Sequence, residues 1–458
     1  MSILSEQLRQ KYDGHSILIL GWGREGQATY QLLSSACPGA QLFVSDQNQE
    51  ALTAWQTEHG STLHIMPYLQ SLSQFSVIFK SPGIPHHEPG LREYVAAGGK
   101  ITSQLNEFLQ AYRSQTIGVT GTKGKSTTSS LIATLYAAAG RHTLLAGNIG
   151  TPVFEIVDNI TPDTQLVVEM SSYQLDSVRV SPHIAVMLNF FSEHLNYHQS
   201  IGNYLNAKAK ITQYQTAEDV LIFNQDVPEL VEISQQTQAQ LLPFSYTQQL
   251  HYSEFVHQTI SQLETIELPA TIKKWNILPA LLAAQSLNLS VDQTLTALKS
   301  FKPLPHRLEN VGGYGGITWI DDTLATIPEA TLAALDALPR VDVLMLGGYD
   351  RGISYQKVVE GVMAKKIPAV VFFKPSGQVM YELIRRDYPE SSWPKMELVD
   401  TMEQAVRFGY QHAPEGGVVL LSPSSPSFGQ FKNYEDKSAQ FKTWITQLAP
   451  QPNSTASL

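Results

Sequence analysis

A short loop rich in glycine, lysine and hydroxyl side chains is the first place in the chain where chemistry is expected. Residues 118–130 read GVTGTKGKSTTSS, and the core of this stretch is Gly121-Thr122-Lys123-Gly124-Lys125-Ser126, followed by Thr127. Backbone N–H groups at a helix N-terminus bind phosphate, a lysine supplies charge, and a serine hydroxyl reaches Mg²⁺. The loop predicts an ATP site, although Val119 stands where the full G-x-x-x-x-G-K-[ST] pattern has glycine.

A second glycine cluster precedes this loop in the chain. Gly21-Trp22-Gly23-Arg24-Glu25-Gly26 follows the apolar run SILIL, and Asp46 ends the next apolar run. Strand, G-x-G-x-x-G, helix and an acid about twenty residues further on form the dinucleotide-binding fingerprint, in which a diphosphate meets a helix N-terminus. Taken alone, the fingerprint favours NAD. A UDP-sugar has the same diphosphate, and a tight turn without a ligand also fits, so these residues leave the ligand open.

The elements that must position both loops can be read from the alternation of short apolar runs with longer amphipathic stretches. Strand, loop and helix in regular succession predict parallel sheets covered by helices, so the fold class is α/β. The strands fall into three groups. Breaks before the phosphate loop and at the proline-containing FKPLPH segment predict three domains, at residues 1–113, 114–303 and 304–458.

Composition excludes several classes of protein. The 458 residues include 31 Lys plus Arg against 41 Asp plus Glu, and a net charge of −10 argues against nucleic-acid binding. The single cysteine, Cys37, rules out an internal disulfide framework and a cysteine-based zinc site, which fits a reducing compartment. We find no apolar signal core at the N-terminus and no run of eighteen apolar residues. We therefore expect a cytoplasmic protein without a membrane span, and a monomer.

The shorter G-T-x-G-K-[ST] form of the loop resembles the Mur ligase and folylpolyglutamate synthetase superfamily, whose members use ATP to make amide bonds. Further segments resemble, in order and spacing, the branch that adds glutamate to UDP-N-acetylmuramoyl-L-alanine. They are GNIGTP (147–152), VEMSSYQLD (168–176), LNFFSEHLNYHQSIGNYLNAKAKI (188–211), PHRLE (305–309), DDTLAT (321–326) and SPSSPSFGQFKNYED (422–436).

This resemblance implies a mechanism and an architecture. ATP would phosphorylate the carboxylate of UDP-N-acetylmuramoyl-L-alanine, and the amine of glutamate would attack the acyl phosphate through a tetrahedral intermediate, as a step of peptidoglycan precursor synthesis. The cofactors would be ATP and two Mg²⁺ ions. The first domain would be a Rossmann-like UDP-binding domain, the central one a P-loop-type ATPase with a mostly parallel sheet, and the third a Rossmann-like domain that brings glutamate.

The resemblance also implies roles for individual residues. The catalytic residues would be Lys125, Lys208, His194 and Arg307. Magnesium would be held by Ser126, Glu169, His194 and Lys208, the last as a carbamate formed with CO₂. Glu193 stands where the family usually has aspartate, and Trp275 where it has histidine. ATP would be bound by the loop residues Gly121, Thr122, Lys123, Gly124, Lys125, Ser126 and Thr127, with Asn276, Arg307 and Asp322.

Two further groups of residues are implied for the other substrates. UDP-N-acetylmuramoyl-L-alanine would contact Gly21, Gly23, Gly26, Asp46, Ser81, Pro82, Gly83, Asn148, Ser171 and Gln174. Glutamate would contact Thr326, Arg351, Ser427 and Tyr434.

The expected glutamate pocket departs from the family pattern. Leu324 and Arg351 each replace a lysine, and Gly429 replaces an acid. An anion that lacks its charged donor loses about 1.5–3 kcal/mol. Arginine compensates in part, because it grips a carboxylate through two parallel hydrogen bonds. The pocket geometry is therefore expected to differ, and addition of L-glutamate stands as an alternative to addition of D-glutamate.

Three alternatives of other kinds stay open at this stage. The first glycine cluster could belong to an NAD-dependent oxidoreductase. The phosphate loop could serve a ligase that acts on a different carboxylate, such as a folate or another muramoyl peptide. The chain could also be a nucleotide-binding subunit without catalysis. Consumption of ATP separates the ligases from the other two, and a nicotinamide-dependent absorbance change identifies the oxidoreductase.

Overall fold

The computed structural model describes residues 2–59, 63–191, 193–263, 274–302, 305–350, 352–427 and 429–450. The chain divides into two compact units, Met1–Phe301 and Lys302–Leu458. Within the described parts of the chain, no helix combines the length and the apolar character needed to cross a bilayer.

The first sheet lies in the unit Met1–Phe301 and has the strand order β3-β2-β1-β4-β5. Its strand pairs are all parallel, and the order is that of a doubly wound α/β unit. The strands are β1 (Ser16–Leu20), β2 (Gln41–Ser45), β3 (His64–Ile65), β4 (Val77–Lys80) and β5 (Lys100–Thr102), and the helices are α1 (Ile3–Tyr12), α2 (Arg24–Ala36), α3 (Gln49–His59), α4 (Pro89–Ala96) and α5 (Gln104–Tyr112).

The second sheet belongs to the same unit and has the order β11-β10-β9-β6-β8-β7, again with parallel pairs. Its strands are β6 (Thr116–Thr120), β7 (Thr143–Gly147), β8 (Gln165–Glu169), β9 (Ile184–Met187), β10 (Val220–Asn224) and β11 (Gln240–Phe244). The helices are α6 (Lys125–Ala138), α7 (Ser172–Leu175), α8 (Leu195–His198), α9 (Ile201–Gln213), α10 (Pro228–Ser234), α11 (Glu254–Leu263), α12 (Lys274–Ala284) and α13 (Val291–Lys299).

The third sheet forms the centre of the unit Lys302–Leu458 and has the order β12-β13-β17-β14-β15-β16. Its edge pair β12–β13 is antiparallel, and the remaining pairs are parallel. The strands are β12 (Glu309–Tyr314), β13 (Ile317–Asp321), β14 (Val343–Gly347), β15 (Ala369–Phe373), β16 (Lys395–Val399) and β17 (Val418–Leu421), and the helices are α14 (Pro328–Ala337), α15 (Gln356–Ala364), α16 (Ser376–Asp387), α17 (Met402–His412) and α18 (Tyr434–Leu448).

The predicted α/β class with parallel sheets is confirmed. β6, β14 and β15 are buried along their whole length, as the continuous apolar runs predict for strands covered on both faces. The edge strand β11 was not predicted from the sequence, because it contains Pro243. Proline is tolerated in a strand at the edge of a sheet. The domain boundaries at 113/114 and 303/304 stay a prediction.

Candidate functional site

The predicted phosphate loop lies between β6 and α6, at the carboxyl edge of the second sheet. Gly124 caps α6 with a φ of 82°, a left-handed conformation that favours glycine, and a Cβ there would lie 2.7 Å from Asn276 Nδ2. The loop therefore needs glycine at this position, and the first N–H groups of a 14-residue helix face its interior. Lys125 Nζ donates to Gly121 O and to Thr122 O, both at 3.0 Å.

Two asparagines hold the loop in shape. Asn189, which follows β9, accepts hydrogen bonds at Oδ1 from Thr122 N at 3.0 Å and Lys123 N at 2.8 Å, and its Nδ2 donates to Lys123 O. Asn276 of α12 is buried and donates from Nδ2 to Gly124 O at 3.3 Å and Thr128 Oγ1 at 3.1 Å. This residue, which the resemblance implies for ATP binding, thus contacts the phosphate loop directly through its amide N–H groups.

Lys208 of α9 lies beneath the loop. Its side chain is 2% exposed, and Nζ donates to Gly121 O at 2.8 Å and lies 4.8 Å from the centre of the Tyr204 ring. Burial lowers the pKa of Lys208 well below its usual value, and the positive charge of Lys125 lowers it further, whereas Glu193 and Glu169 act in the opposite direction. A lysine in this environment presents a neutral amine more readily than a surface lysine does.

Glu169 ends β8, at the strand end next to the loop. Its Oε1 accepts a hydrogen bond from Asn148 Nδ2 at 2.7 Å. Its Oε2 is buried, and among the described residues no donor reaches it. A buried carboxylate oxygen without a donor is costly unless a cation or a ligand completes its environment. Carboxylate oxygens suit Mg²⁺, so Glu169 fits the predicted metal ligand.

His194 faces the same region from the loop after β9. It adopts a φ of 60°, and its ring lies 5.0 Å from Tyr173 and 5.8 Å from Tyr204. Burial lowers the pKa of His194, and the charges of Lys125 and Lys208 lower it further, against the effect of Glu193. The neutral imidazole that ligates a metal is therefore favoured. Glu193 itself pairs with Lys123 across 2.5 Å.

Ser171 and Gln174 form the start of the short helix α7. Ser171 caps the helix through its hydroxyl, and Gln174 Oε1 accepts from Ser171 N at 3.0 Å. Gln174 Nε2 then donates to Glu25 Oε1 at 2.6 Å. Glu25 belongs to the first glycine cluster, so one side-chain hydrogen bond joins the two loops that the sequence predicts to bind different parts of one substrate.

The buried position of Glu25 disfavours the ionised form of its carboxyl group. Burial raises the pKa of Glu25 to about 7, although the hydrogen bond from Gln174 and the charge of Lys80 act to lower it. A raised carboxyl pKa means that folding favours the protonated form. In the unfolded chain the Glu25 carboxyl ionises from pH 4.5 upwards, whereas in the folded protein it stays protonated up to about pH 7. The contribution of Glu25 to the free energy of unfolding is therefore lost as the pH rises from about 4.5 to about 7.

We therefore expect Glu25→Gln, which keeps an oxygen acceptor for Gln174, to stabilise the fold at pH 8 by about 1–3 kcal/mol. At pH 4.5 the difference from wild type is expected to vanish. Thermal or urea unfolding at both pH values measures it. Glu93→Gln, at an exposed position on α4, is the control and should show no such pH-dependent gain. A gain for Glu25→Gln that is equal at both pH values would contradict the assignment.

The first glycine cluster lies between β1 and α2. Trp22 N donates to Asp46 Oδ2 at 2.6 Å, and Ser81 Oγ donates to Gly21 O at 3.1 Å. A Cβ at Gly26 would lie 1.9 Å from Gly21 O, so only glycine fits that helix turn. The structure therefore brings Gly21, Gly26, Asp46 and Ser81 together, with Gly23, Pro82 and Gly83 in the same two loops.

In the second unit, the predicted residues lie on two neighbouring segments. Asp322 follows β13 and is buried; burial raises the pKa of its carboxyl to about 7, while the hydrogen bond from Ser422 Oγ and the charge of Arg307 act to lower it. Ser427 is also buried, and Tyr434 packs its ring edge-to-face with His306. Of the residues predicted in this unit, the structure describes Arg307, Asp322, Thr326, Ser427 and Tyr434, and Arg307 is exposed. Arg351 lies outside the described residues.

Two residues of the site in the first unit, and one buried residue of the second unit, were not predicted from the sequence. Asn189 shapes the phosphate loop, Glu25 connects the two loops, and Lys437 is a buried lysine of the second unit. Asn189 stands within the segment LNFFSEHLNYHQ, so the segment was recognised but this side chain was not. Glu25 and Lys437 look like ordinary helix-surface charges in the sequence, because their burial depends on contacts with distant segments.

Comparison with known proteins gives the family. Two protein-family models match the chain. The one described as Mur ligase middle domain matches residues 119–278, and the one described as Mur ligase, glutamate ligase domain, matches residues 306–425. The UDP-N-acetylmuramoylalanine–D-glutamate ligase of Latilactobacillus sakei subsp. sakei (strain 23K) is 32% identical over 456 residues, covering 95% of this chain and 98% of that relative. The ligase of the same name from Listeria innocua serovar 6a is 30% identical over 96% of this chain and 98% of that relative.

Solved structures agree on the fold. UDP-N-acetylmuramate–alanine ligase from Thermotoga maritima superposes with a TM-score of 0.59 at 16% identity, covering 95% of this chain and 100% of that chain. MurF ligase from Thermotoga maritima, solved in complex with ADP, gives a TM-score of 0.53 at 17% identity, covering 98% and 100%. Many ligases share this fold, so the sequence identity to the two glutamate ligases, over nearly the whole chain, assigns the protein to a group within it. The chain belongs to the Mur ligase family, among the UDP-N-acetylmuramoylalanine–D-glutamate ligases.

Proposed function

We propose that the protein uses ATP to join the carboxylate of UDP-N-acetylmuramoyl-L-alanine to the amine of D-glutamate, a step in the synthesis of peptidoglycan precursors. The observation that carries the proposal is the arrangement at the edge of the second sheet. Lys125 and Lys208 both contact Gly121 O of the phosphate loop, and Glu169, beside the loop, has a buried oxygen without a donor among the described residues. The edge therefore brings together the ammonium of Lys125, the buried amine of Lys208 and a carboxylate oxygen that a cation can complete.

The loop supplies what phosphoryl transfer from ATP to a carboxylate requires. The N–H groups at the start of α6 and the ammonium of Lys125 stabilise the charge that gathers on the phosphoryl oxygens as the bond to ADP breaks and the bond to the carboxylate forms. The product is an acyl phosphate. Attack by the glutamate amine then forms the amide, and phosphate leaves with the bonding electrons while the amine proton passes to solvent.

Two magnesium ions complete the proposed site. Ser126, Glu169 and His194 would hold them, together with Lys208 in the form of a carbamate. Mg²⁺ supplies neutralisation of phosphate charge and orientation of the reacting oxygens. The donor set fits, because Glu169 offers a buried free oxygen and the lowered pKa of His194 favours the neutral imidazole.

The carbamate proposal is supported by the environment of Lys208. Burial and the neighbouring Lys125 lower the pKa of the amine, so its neutral form can attack the carbon of CO₂. An N–C bond forms, one amine proton goes to solvent, and the side chain changes from a hydrogen-bond donor to an anion. That anion would suit a second cation beside the loop, where the unmodified lysine adds positive charge.

The other substrates are assigned to the two remaining groups of residues. The UDP part would lie at the first glycine cluster with Asp46 and the Ser81–Gly83 segment, while Asn148, Ser171 and Gln174 would orient the muramoyl-alanine end. The hydrogen bond between Gln174 and Glu25 supports this, because it fixes the two groups relative to each other. Glutamate would be bound by Thr326, Arg351, Ser427 and Tyr434.

The D-enantiomer is favoured because the relatives that match this chain over nearly its full length are named D-glutamate ligases. Leu324 and Arg351, which depart from the pattern of two lysines, keep L-glutamate as the alternative to test. The relatives give no support to an NAD-dependent oxidoreductase. We also propose that the enzyme acts as a monomer in the cytoplasm.

The deciding experiment measures phosphate release by the purified protein with ATP, Mg²⁺ and UDP-N-acetylmuramoyl-L-alanine, with D-glutamate, L-glutamate or neither in parallel. We expect release that depends on D-glutamate and a product heavier by one glutamate residue in mass spectrometry. Release with L-glutamate alone would reverse the enantiomer. Absence of glutamate-dependent release with both would contradict the proposed function.

A further inference from the structure

Lys437 of α18 is a fully buried lysine to which the proposed reaction gives no role. Its side chain is 0% exposed. Nζ lies 4.5 Å from the centre of the Phe373 ring and 5.1 Å from that of Phe431. Burial lowers the pKa of Lys437 to about 7, and Asp321 acts in the opposite direction. Burying an amine costs free energy unless a specific partner compensates for the lost water.

The partner of this amine is a backbone carbonyl. Lys437 Nζ donates to Gly347 O at 2.8 Å. Gly347 ends the central strand β14 with a φ of 100°, and a Cβ at this position would lie 2.1 Å from Phe373 O. The chain therefore leaves the sheet in a conformation that residues other than glycine rarely adopt. The next residues are Gly348, Tyr349 and Asp350, immediately before the predicted glutamate-binding Arg351.

The segment Gly347–Asp350 is fastened to the segment that carries Ser427. Gly347 N donates to Pro423 O at 2.8 Å, and Tyr349 N donates to Pro426 O at 2.8 Å. Ser427, another predicted glutamate-binding residue, follows directly. Phe431, whose ring lies beside Lys437, donates its N–H to Ser427 O at 3.2 Å. Lys437 therefore contacts both segments from which the glutamate pocket is expected to be built.

A second side chain holds the same segment from another direction. Ser376, at the start of α16, accepts a hydrogen bond from Gly348 N at 2.9 Å and donates to Gly348 O at 3.0 Å. Further along, Asp350 Oδ1 accepts from Tyr355 Oη at 3.2 Å. The segment is thus held by hydrogen bonds on several sides.

The contact repeats one seen in the first unit. Lys208 is also buried, lies over an aromatic ring, and donates to the carbonyl of Gly121, the first residue after the central strand β6. In both units a lysine from a helix that follows later in the chain donates to the carbonyl of the glycine at which the chain leaves the sheet. This arrangement fixes a loop by its backbone and leaves its side chains for the ligand.

We propose that Lys437 is a positioning residue for the amino-acid substrate, because its hydrogen bond to Gly347 O and its contact with Phe431 fix the segment Gly347–Asp350 against the segment that carries Ser427, where glutamate is expected to bind. The inference rests on the proposed function. It predicts a selective effect. Loss of the amine displaces the glutamate-binding segment and leaves the sites for ATP phosphates and UDP, which lie on other loops, unchanged.

The test is a full kinetic comparison of wild type and Lys437→Met, which keeps a long apolar side chain but removes the donor. We expect the KM for glutamate to rise about tenfold, the equivalent of one hydrogen bond from a charged group, with the KM values for ATP and the UDP substrate unchanged. Lys437→Arg, which restores a donor, should recover part of the loss. Lys442→Met is the control, since Lys442 lies on the same helix, is partly exposed and pairs with Glu309.

The outcomes separate this inference from the function on which it rests. Wild-type protein without glutamate-dependent phosphate release would remove the proposed function and the inference together. With an active wild type, an unchanged glutamate KM in Lys437→Met, or an equal rise in all three KM values, would overturn the inference alone. If Lys437→Met does not fold, Ser376→Ala decides, because it releases the same segment at Gly348 without unpairing a charge, and it should raise only the glutamate KM.

Discussion

Replacing Lys125 with alanine is expected to lower ATP-dependent turnover by about a hundredfold to a thousandfold. The ammonium of Lys125 lies over the phosphate loop, where it is hydrogen bonded to Gly121 O and Thr122 O. Its positive charge stabilises the phosphoryl group most strongly in the transition state, because negative charge gathers there as the acyl phosphate forms. The loss should therefore appear in kcat, measured as phosphate release at saturating ATP and glutamate.

Binding of the UDP substrate should change little in Lys125→Ala, since the first glycine cluster lies on a different sheet, and titration calorimetry measures this. Lys123→Ala is the matched control within the loop. Lys123 pairs with Glu193 and is more exposed, so we expect a clearly smaller loss of turnover. Equal losses in the two variants would mean that turnover depends only on the total charge of the loop, and would contradict a specific role of Lys125 in phosphoryl transfer.

The parts of the site that could be predicted from sequence are those whose geometry is local. The phosphate loop is one, because strand, glycines, lysine and helix follow each other directly, and the backbone alone determines where the N–H groups point. Glu169 is another, since its position at the end of an apolar run places it at the carboxyl edge of a parallel sheet. The position of these residues follows from the strand order of the α/β fold.

The remaining features depend on contacts between segments far apart in the chain. Glu25 looks like a first-turn acid at a helix N-terminus, where a carboxylate is normally stabilised. Its burial raises its pKa even though Gln174, 149 residues later, donates a hydrogen bond that acts to lower it. Lys437 likewise follows two acidic residues in the first turn of a helix, and nothing in the spacing shows that its amine meets Gly347 O, 90 residues earlier. Burial of a charged side chain is decided by tertiary packing and leaves no local pattern.

Asn276 illustrates a residue whose place was predicted and whose contacts were not. The sequence indicates a role near ATP, and the structure puts its amide group against Gly124 O and Thr128 Oγ1. Both contacts are made by Nδ2. If Asn276 binds ATP as the resemblance implies, it does so while also fixing the loop.

Lys208→Ala is expected to be nearly inactive, with a loss of more than about a hundredfold, and to regain activity when acetate is added. The amine lies buried beneath the loop, and its lowered pKa favours the neutral form that reacts with CO₂. If the carbamate anion is the working form, a small carboxylate can take its place in the space that alanine leaves. Phosphate release at increasing acetate concentration measures the recovery, and the absence of recovery with chloride excludes a salt effect.

The unmodified lysine offers a competing explanation that the same variant can separate. Lys208 Nζ donates to Gly121 O, so its removal also loosens the loop. Methylammonium can replace a donor but not an anion, whereas acetate can replace an anion but not that donor. Recovery with methylammonium alone would assign Lys208 to loop support and reject the carbamate. Lys210→Ala is the control on the same helix, because Lys210 pairs with Asp176 and is partly exposed, and it should retain most activity without either additive.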